Sequence, residues 1–362
     1  MGKFLDTLRA FDAWFERQKR VLPWREEPTL YRVWISEIML QQTQVVTVIP
    51  YFERFLSRFP TVEILAAASE DDVMAHWAGL GYYSRARNLH RGAKKIAAEG
   101  FPQTRDAWLE ISGVGPYTAG AIASIALDSP DPILDGNVER VLSRVRRVGA
   151  LRQAAPAATK ARLWRLSDLF VKTAHRHGIR PSVLNQALME LGATVCTPKN
   201  PRCGACPLED LCRARACGDA EKFPLKKKAK EWVAVAEKTR CLVDAEGRVL
   251  LRKREAGSWR AGLWDLPEEL PPAAKKALSK VGSVETKHVV TRHKITRETE
   301  VWKVAERGAS EREGWRWESL ESLVGEDAQP SVAVGSALKR TLSRVLERFP
   351  EAVPTRSVLR SE

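Results

Sequence analysis

Gly113 and Gly115 lie one residue apart in Ile111-Ser-Gly-Val-Gly-Pro-Tyr117-Thr-Ala-Gly120, and Pro116 follows at once. Glycines at this spacing allow a turn that a Cβ would obstruct. Proline suits the first position of a new helix, where its missing N–H would have no partner. Ala119, Ile122, Ala123 and Ala126 then continue with one apolar face. The expected product is a helix, a tight glycine hairpin and a second helix whose free N–H groups point outward and attract a phosphate. Asp135 stands twenty residues after Gly115, in Ile133-Leu-Asp-Gly-Asn137-Val-Glu-Arg140. An acid there could act on the sugar joined to that phosphate. Taken alone, it also suits a helix N-cap.

A second carboxylate stands upstream. Leu22-Pro-Trp-Arg25 precedes Val33-Trp-Ile-Ser-Glu37-Ile-Met-Leu-Gln41-Gln42-Thr-Gln44. On a helix, Glu37 shares its face with Val33, Trp34, Leu40 and Gln41. Apolar surroundings penalise the charged form, so its pKa is expected to rise. Asp135 at a helix N-terminus is expected to stay ionised. Two carboxyls pushed apart in this way suit glycoside chemistry, in which one protonates the leaving group and the other faces an oxocarbenium-like transition state.

Cys196, Cys203, Cys206 and Cys212 are spaced C-x6-C-x2-C-x5-C. Four thiolates in one short segment can enclose a soft metal centre. Zinc is the commonest such metal, and a reducing compartment disfavours disulfides. Cys217 and Cys241 fall outside the pattern and read as ordinary thiols. Lys199 and Arg202, between the first two ligands, would present positive charge on a metal-stiffened loop.

The elements that must position these groups differ between the two halves of the chain. At 362 residues it has room for two or three domains. Its 59 Lys and Arg against 45 Asp and Glu give a net charge of +14, which favours a polyanionic partner. No apolar run is long enough to cross a bilayer, and the first twenty residues lack a secretory core. Residues 1 to about 220 carry helical periodicity punctuated by Pro60, Pro102, Pro130 and Pro156. The run from Lys222 to Lys230 is basic and suits a linker. Beyond it, 233–236, 240–243, 248–252 and 300–304 read as strands, with a hairpin turn at 244–247 and a closing helix over 330–348.

Taken together, the chain resembles the MutY-type adenine DNA glycosylases of the endonuclease III-like helix-hairpin-helix superfamily over nearly its whole length. Leu22–Arg25, Ser36–Gln44, Gly79-Leu-Gly-Tyr-Tyr-Ser-Arg85, the hairpin with Asp135 and the four cysteines carry the resemblance. It implies a multidomain protein: an all-α glycosylase with an iron–sulfur loop, then a C-terminal α/β Nudix-like domain. The expected division is a helical region over 1–220, with a six-helix barrel at about 25–130 and a cluster domain from 1–24 and 131–220. A linker at 221–231, a lesion-recognition domain at 232–348 and a tail at 349–362 complete it.

The resemblance also implies the chemistry. Duplex DNA carrying adenine opposite 8-oxoguanine or guanine would be the substrate, and the four cysteines would hold a [4Fe–4S] cluster. Glu37 would protonate the adenine ring and Asp135 would stabilise the sugar cation, with Tyr117 and Asn137 assisting and ordering water. Because the base sits in a stack, it must be flipped out. Gln42, Leu80 and Tyr82 would fill the gap, Arg25 and Gln186 would lie near the base, and Arg85, Arg87, Arg91, Lys94 and Lys95 would meet phosphates.

Endonuclease III carries a lysine nucleophile where this chain has Tyr117, so base removal without strand cleavage is expected. The family's Phe-Ser-His turn, which reads the oxidised guanine, is replaced here by Val290-Thr291-Arg292-His293, matching only at the histidine. The segment Glu268-Glu-Leu-Pro-Pro-Ala-Ala-Lys-Lys lacks the glutamates of a hydrolytic Nudix helix. A monomer in a bacterial cytoplasm, at the nucleoid, is the expected setting. The competing readings are a thymine or oxidised-pyrimidine glycosylase and a non-catalytic, metal-stabilised DNA-binding protein.

Overall fold

Helix starts in this chain follow the residues able to make them. Thr29, Ser69, Thr104 and Asp135 each accept a hydrogen bond from a backbone N–H three residues on, the geometry of an N-cap. Pro23, Pro116 and Pro181 open three others. The computed structural model describes residues 2–149, 156–225, 231–255, 257–258, 260–270, 278–290, 292–305, 314–325 and 332–352.

In chain order the helices are α1 (Gly2–Gln18), α2 (Pro23–Glu26), α3 (Leu30–Leu40), α4 (Val45–Arg58) and α5 (Val62–Ala67). Next come α6 (Glu70–Trp77), α7 (Ser84–Glu99), α8 (Arg105–Leu109), α9 (Pro116–Leu127) and α10 (Gly136–Arg146). Then follow α11 (Pro156–Arg176), α12 (Pro181–Thr194) and α13 (Arg213–Ala216). The strands are β1 (Val233–Val243), β2 (Arg248–Lys253), β3 (Trp264–Asp265), β4 (Leu278–Val290), β5 (His293–Val304) and β6 (Trp315–Ser319). Helices α14 (Leu320–Val324) and α15 (Ser336–Arg348) follow the sheet.

Two compact units result: residues 1–67 with 88–228, and residues 68–87 with 229–362. In the first, α3 and α9 are buried along most of their length. Gly120 is required there, because a Cβ would fall 2.2 Å from the Pro132 carbonyl oxygen. Leu8, Phe11, Val138, Leu142, Leu188 and Leu191 join α1, α10 and α12 in one core.

The second unit is built on a mixed sheet in the order β3-β2-β1-β5-β4, with β6 also pairing β2. β1 and β5 run parallel from Val233↔His293 to Val243↔Lys303. Helix α15 packs on the sheet through Leu338, Leu342 and Val345. Residues 68–87 belong here because Asp71 pairs Lys253 at 2.7 Å and the Tyr83 hydroxyl donates to the Val334 carbonyl.

The strand boundaries differ from the sequence reading. β1 is one strand through Glu237 and Lys238, and β4, absent from the expectation, forms the long hairpin with β5. The closing helix starts at Ser336. Of the expected linker at 221–231, residues 226–230 lie outside the described residues; Phe223, inside it, is packed, 3% exposed, and its carbonyl accepts from Arg144 Nε at 3.0 Å. No helix among the described residues is long and apolar enough to cross a membrane.

Candidate active site

Glu37 and Asp135 line the same cavity, of about 530 Å³. Its apolar wall comes from Leu22, Trp24, Val33, Leu40, Ile125 and Met189, and Tyr117, Asn137, Arg25, Gln42 and Gln186 contribute to the polar lining. A volume of this size holds a small ligand.

Helix α3 presents Glu37 from a run buried from Val33 to Met39. The side chain is 5% exposed, and Oε2 has no hydrogen-bond partner. Burial is the main reason its pKa rises from 4.5 to about 7; Asp135 pushes the same way, while the Tyr117 hydroxyl and the Arg25 guanidinium pull back. Burial and the two carboxyls hold Tyr117 well above the ordinary phenol value, so it stays a neutral O–H. Its hydroxyl lies 3.2 Å from Met189 Sδ.

Asp135 is both an N-cap and a pocket carboxylate. Oδ1 accepts from Val138 N–H at 2.7 Å and Oδ2 from Asn137 Nδ2 at 2.9 Å. The expected downward shift does not occur: burial raises the pKa of Asp135, and the bonds from Val138 and Asn137 and the Arg140 charge only partly offset it. A helix N-terminus acts within its first turn at modest strength, which does not outweigh desolvation here. Asn137 is fixed in turn. Arg140 Nη2 donates to Asn137 Oδ1 at 2.9 Å and to the Gly192 carbonyl at 2.7 Å, and Arg140 Nε donates to the Cys196 carbonyl at 2.7 Å. Gly192 must be glycine, since a Cβ would meet Asn137 Cβ at 2.5 Å.

The hairpin divides its two glycines. Gly113 has φ +83°, and a Cβ there would meet Asn88 Cβ at 2.7 Å. Gly115, the N-cap of α9, has an extended backbone and open space around it. Gln41 Nε2 donates to Thr118 Oγ1 at 3.2 Å, tying the end of α3 to the start of α9.

Sequence reasoning missed Glu190. It is fully buried on α12, accepts from Arg20 Nε at 2.6 Å and from Arg25 Nη2 at 2.9 Å, and lines the cavity. Burial alone would raise its pKa, but the two arginines win and it is lowered. The available signal was a carboxylate inside the apolar run Ala187-Leu-Met-Glu190-Leu, the same pattern as Glu37. Gln186 is already engaged: Oε1 accepts from Arg25 Nε at 3.0 Å and Nε2 donates to the Ser182 carbonyl.

Gln42 stands exposed at the cavity, with φ +59°, a conformation that costs a non-glycine residue energy. Tyr82, φ +49° and 43% exposed, and Leu80, 5% exposed, belong to the second unit. Leu80 is therefore a packing residue here and Tyr82 the accessible one. Arg85 also departs from expectation: it is 6% exposed, donates to the Leu80 and Gly81 carbonyls, and lies over the Trp77 and Tyr82 rings. Burial lowers its pKa to about 10. Arg292 and His293 sit at the β4–β5 turn of the second unit; Thr291 lies outside the described residues.

The four cysteines come together beside this site. Cys196 follows α12, Cys203 opens a 3₁₀ turn ending before Cys206, and Cys212 ends another. All four border one small cavity of about 20 Å³. Among the described residues no three His, Cys, Asp or Glu side chains converge on a single metal ion. Four thiols around one space are the donor set of a soft metal centre. Burial and the neighbouring thiols push Cys206 up to about 12, a repulsion that bound iron relieves. Arg144, 1% exposed, donates to Cys196 Sγ at 3.3 Å and to the Thr197 and Pro198 carbonyls. Lys199 and Arg202 are exposed on this loop, and Arg202 Nη2 donates to the Thr194 carbonyl.

Comparison with known proteins agrees with this arrangement. Residues 35–167 match the HhH-GPD superfamily of base excision DNA repair proteins, and residues 196–212 match the iron-sulfur binding domain of endonuclease III. The adenine DNA glycosylase of Schizosaccharomyces pombe is 35% identical over 327 residues, spanning 73% of this chain and 69% of that protein. That of Rattus norvegicus is 49% identical over 214 residues, 56% of this chain. The match spans 40% of the rat protein, so this chain covers about two fifths of that relative's length. A thermostable thymine-DNA glycosylase, 24% identical, superposes with a TM-score of 0.51 over 60% of this chain and 96% of its own, a likeness of fold. The segment 196–212, which contains the four cysteines, is thus an iron–sulfur binding domain, and its cofactor is a [4Fe–4S] cluster.

Proposed function

This chain belongs to the adenine DNA glycosylase family, and we propose that it removes adenine from duplex DNA where adenine is mispaired with 8-oxoguanine or guanine. The observation that carries the reading is the shared cavity of Glu37 and Asp135, with Glu37 held up to about 7. Hydrolysis of the N-glycosidic bond needs a proton on the leaving base and negative charge beside the sugar. Glu37, neutral in part near pH 7, hands its proton to a ring nitrogen of the flipped adenine. Asp135, its oxygens oriented by Val138 N–H and Asn137, faces the developing sugar cation, and Asn137 orders the attacking water. Tyr117 offers no amine for a Schiff base, so the strand stays intact after the base departs.

The cluster, when bound, would stiffen the loop that carries Lys199 and Arg202; the hydrolysis itself needs no redox step. Lys199, Arg202 and the backbone N–H groups around Gly115 approach the phosphates. Gln42, exposed at the cavity, takes the space the base vacates. The second unit, a mixed sheet with α15 against it, is the Nudix-like part that reads the base opposite adenine, with Arg292 and His293 at its turn.

Duplexes carrying adenine opposite 8-oxoguanine, guanine or thymine, and a thymine opposite guanine, test the reading by the identity of the base released. Free adenine from the first two supports it. Release of thymine, or of no base from any duplex that the protein binds, overturns it.

A further inference from the structure

At one end of the second unit's sheet an indole ring stands in the open. Trp232, directly before β1, is 52% exposed. Val233 N–H donates to the Arg292 carbonyl at 2.9 Å, and Val233 pairs with His293, so the ring sits beside the tip of the β4–β5 hairpin. Lys294 Nζ lies 5.0 Å from its centroid. Val233 and Val289 are 38% and 58% exposed nearby, and Arg292 is exposed at the turn.

A large apolar ring left in water forgoes burial, so a persistent patch of this kind marks an interaction surface. The cations around it select the partner. A second copy of this surface would set like charges against each other, whereas a polyanion with flat rings satisfies both components. A net charge of +14 points the same way.

We propose that Trp232 contacts DNA: its ring stacks on a base or deoxyribose of the bound duplex, while Lys294 and Arg292 meet adjacent phosphates. The inference rests on the reading of this chain as a DNA glycosylase, but not on which base is removed. It also gives the hairpin tip an aromatic group that the turn sequence Val290-Thr291-Arg292-His293 itself lacks.

The test uses the full chain and dye-labelled duplexes with a non-cleavable adenine analogue opposite 8-oxoguanine or guanine, with affinity measured across a salt series. Trp232→Ala weakens binding about fivefold or more, the range of one stacked base, with the salt slope unchanged; Trp232→Phe keeps most of the affinity. Lys294→Ala instead flattens the log–log salt slope by about one. At saturating enzyme all three release adenine at the rate of the unsubstituted protein. A loss confined to the 8-oxoguanine duplex places the contact in the lesion strand, and an equal loss places it on unmodified DNA; both uphold it. Trp232→Ala binding both duplexes as the unsubstituted protein does, with its brown colour and melting curve intact, overturns it. Failure of the glycosylase reading shows separately, as an unsubstituted protein that releases no adenine.

Discussion

Glu37→Gln separates the acid from everything else in the pocket, because the amide has nearly the same shape and cannot supply the proton. Loss of a positioned general acid costs about 10²–10⁴-fold in rate, so single-turnover adenine release falls by that range while affinity for the duplex is kept. Stability moves the other way. Glu37 has its pKa raised from 4.5 to about 7 in the folded state. A raised carboxyl contributes stability that is fully present below about pH 4.5 and lost as pH climbs through 7. The shift of about 2.5 pH units corresponds to about 3 kcal/mol against the fold near pH 8, shrinking to under about 1 kcal/mol near pH 5. Urea melts of both proteins at the two pH values measure it: Glu37→Gln is the more stable near pH 8 by roughly that amount and nearly level near pH 5. The pH profile of the unsubstituted enzyme follows the same group, falling about tenfold between pH 6 and 8 as Glu37 ionises. Equal stability of the two proteins near pH 8, or a rate flat from pH 6 to 8.5, would refute the reasoning.

Three further outcomes follow from named contacts. Arg140→Met removes the bonds to Asn137, Gly192 and Cys196; kcat falls about ten- to a hundredfold with KM little changed, as read in steady-state assays. Tyr117→Lys places an amine in the cavity, so borohydride traps a covalent complex with DNA that the unsubstituted protein does not form. Cys203→Ser weakens the cluster site: the brown colour fades, and Tm drops by roughly 5 °C or more in a thermal melt.

The placement of the candidate residues was legible because their patterns are local. Pro116 after Gly115, Asp135 before Gly-Asn-Val and Glu37 inside an apolar run each declare their positions within four residues. Glu190 escaped because the charges that make it tolerable, Arg20 and Arg25, lie about 165–170 residues away in sequence. β1 read as two pieces for a related reason. Glu237 interrupts its apolar run, yet it pairs with Arg260 and with Arg297, whose side chain is fully buried and also holds Asp265. A charged pair buried on a sheet face looks like a loop to any pattern based on hydropathy. β4 was missed since it is exposed along much of its length and held by its ladder with β5. The sign of the Asp135 shift was misjudged because the helix terminus is visible in sequence and the depth of the cavity is not.

The claim beneath all of this is that one carboxyl in the cavity keeps its proton until near pH 7 while its neighbour gives its own up at lower pH. Carboxyl ¹³C NMR of the full chain labelled at Glu and Asp, assigned by the loss of signals in Glu37→Gln and Asp135→Asn, tests it without any assay of activity. A Glu37 midpoint near 7, above that of Asp135, and a fall in the Glu37 midpoint when Asp135 loses its charge are the predicted results. A Glu37 signal titrating at the ordinary 4.5, unmoved by Asp135→Asn, would contradict it.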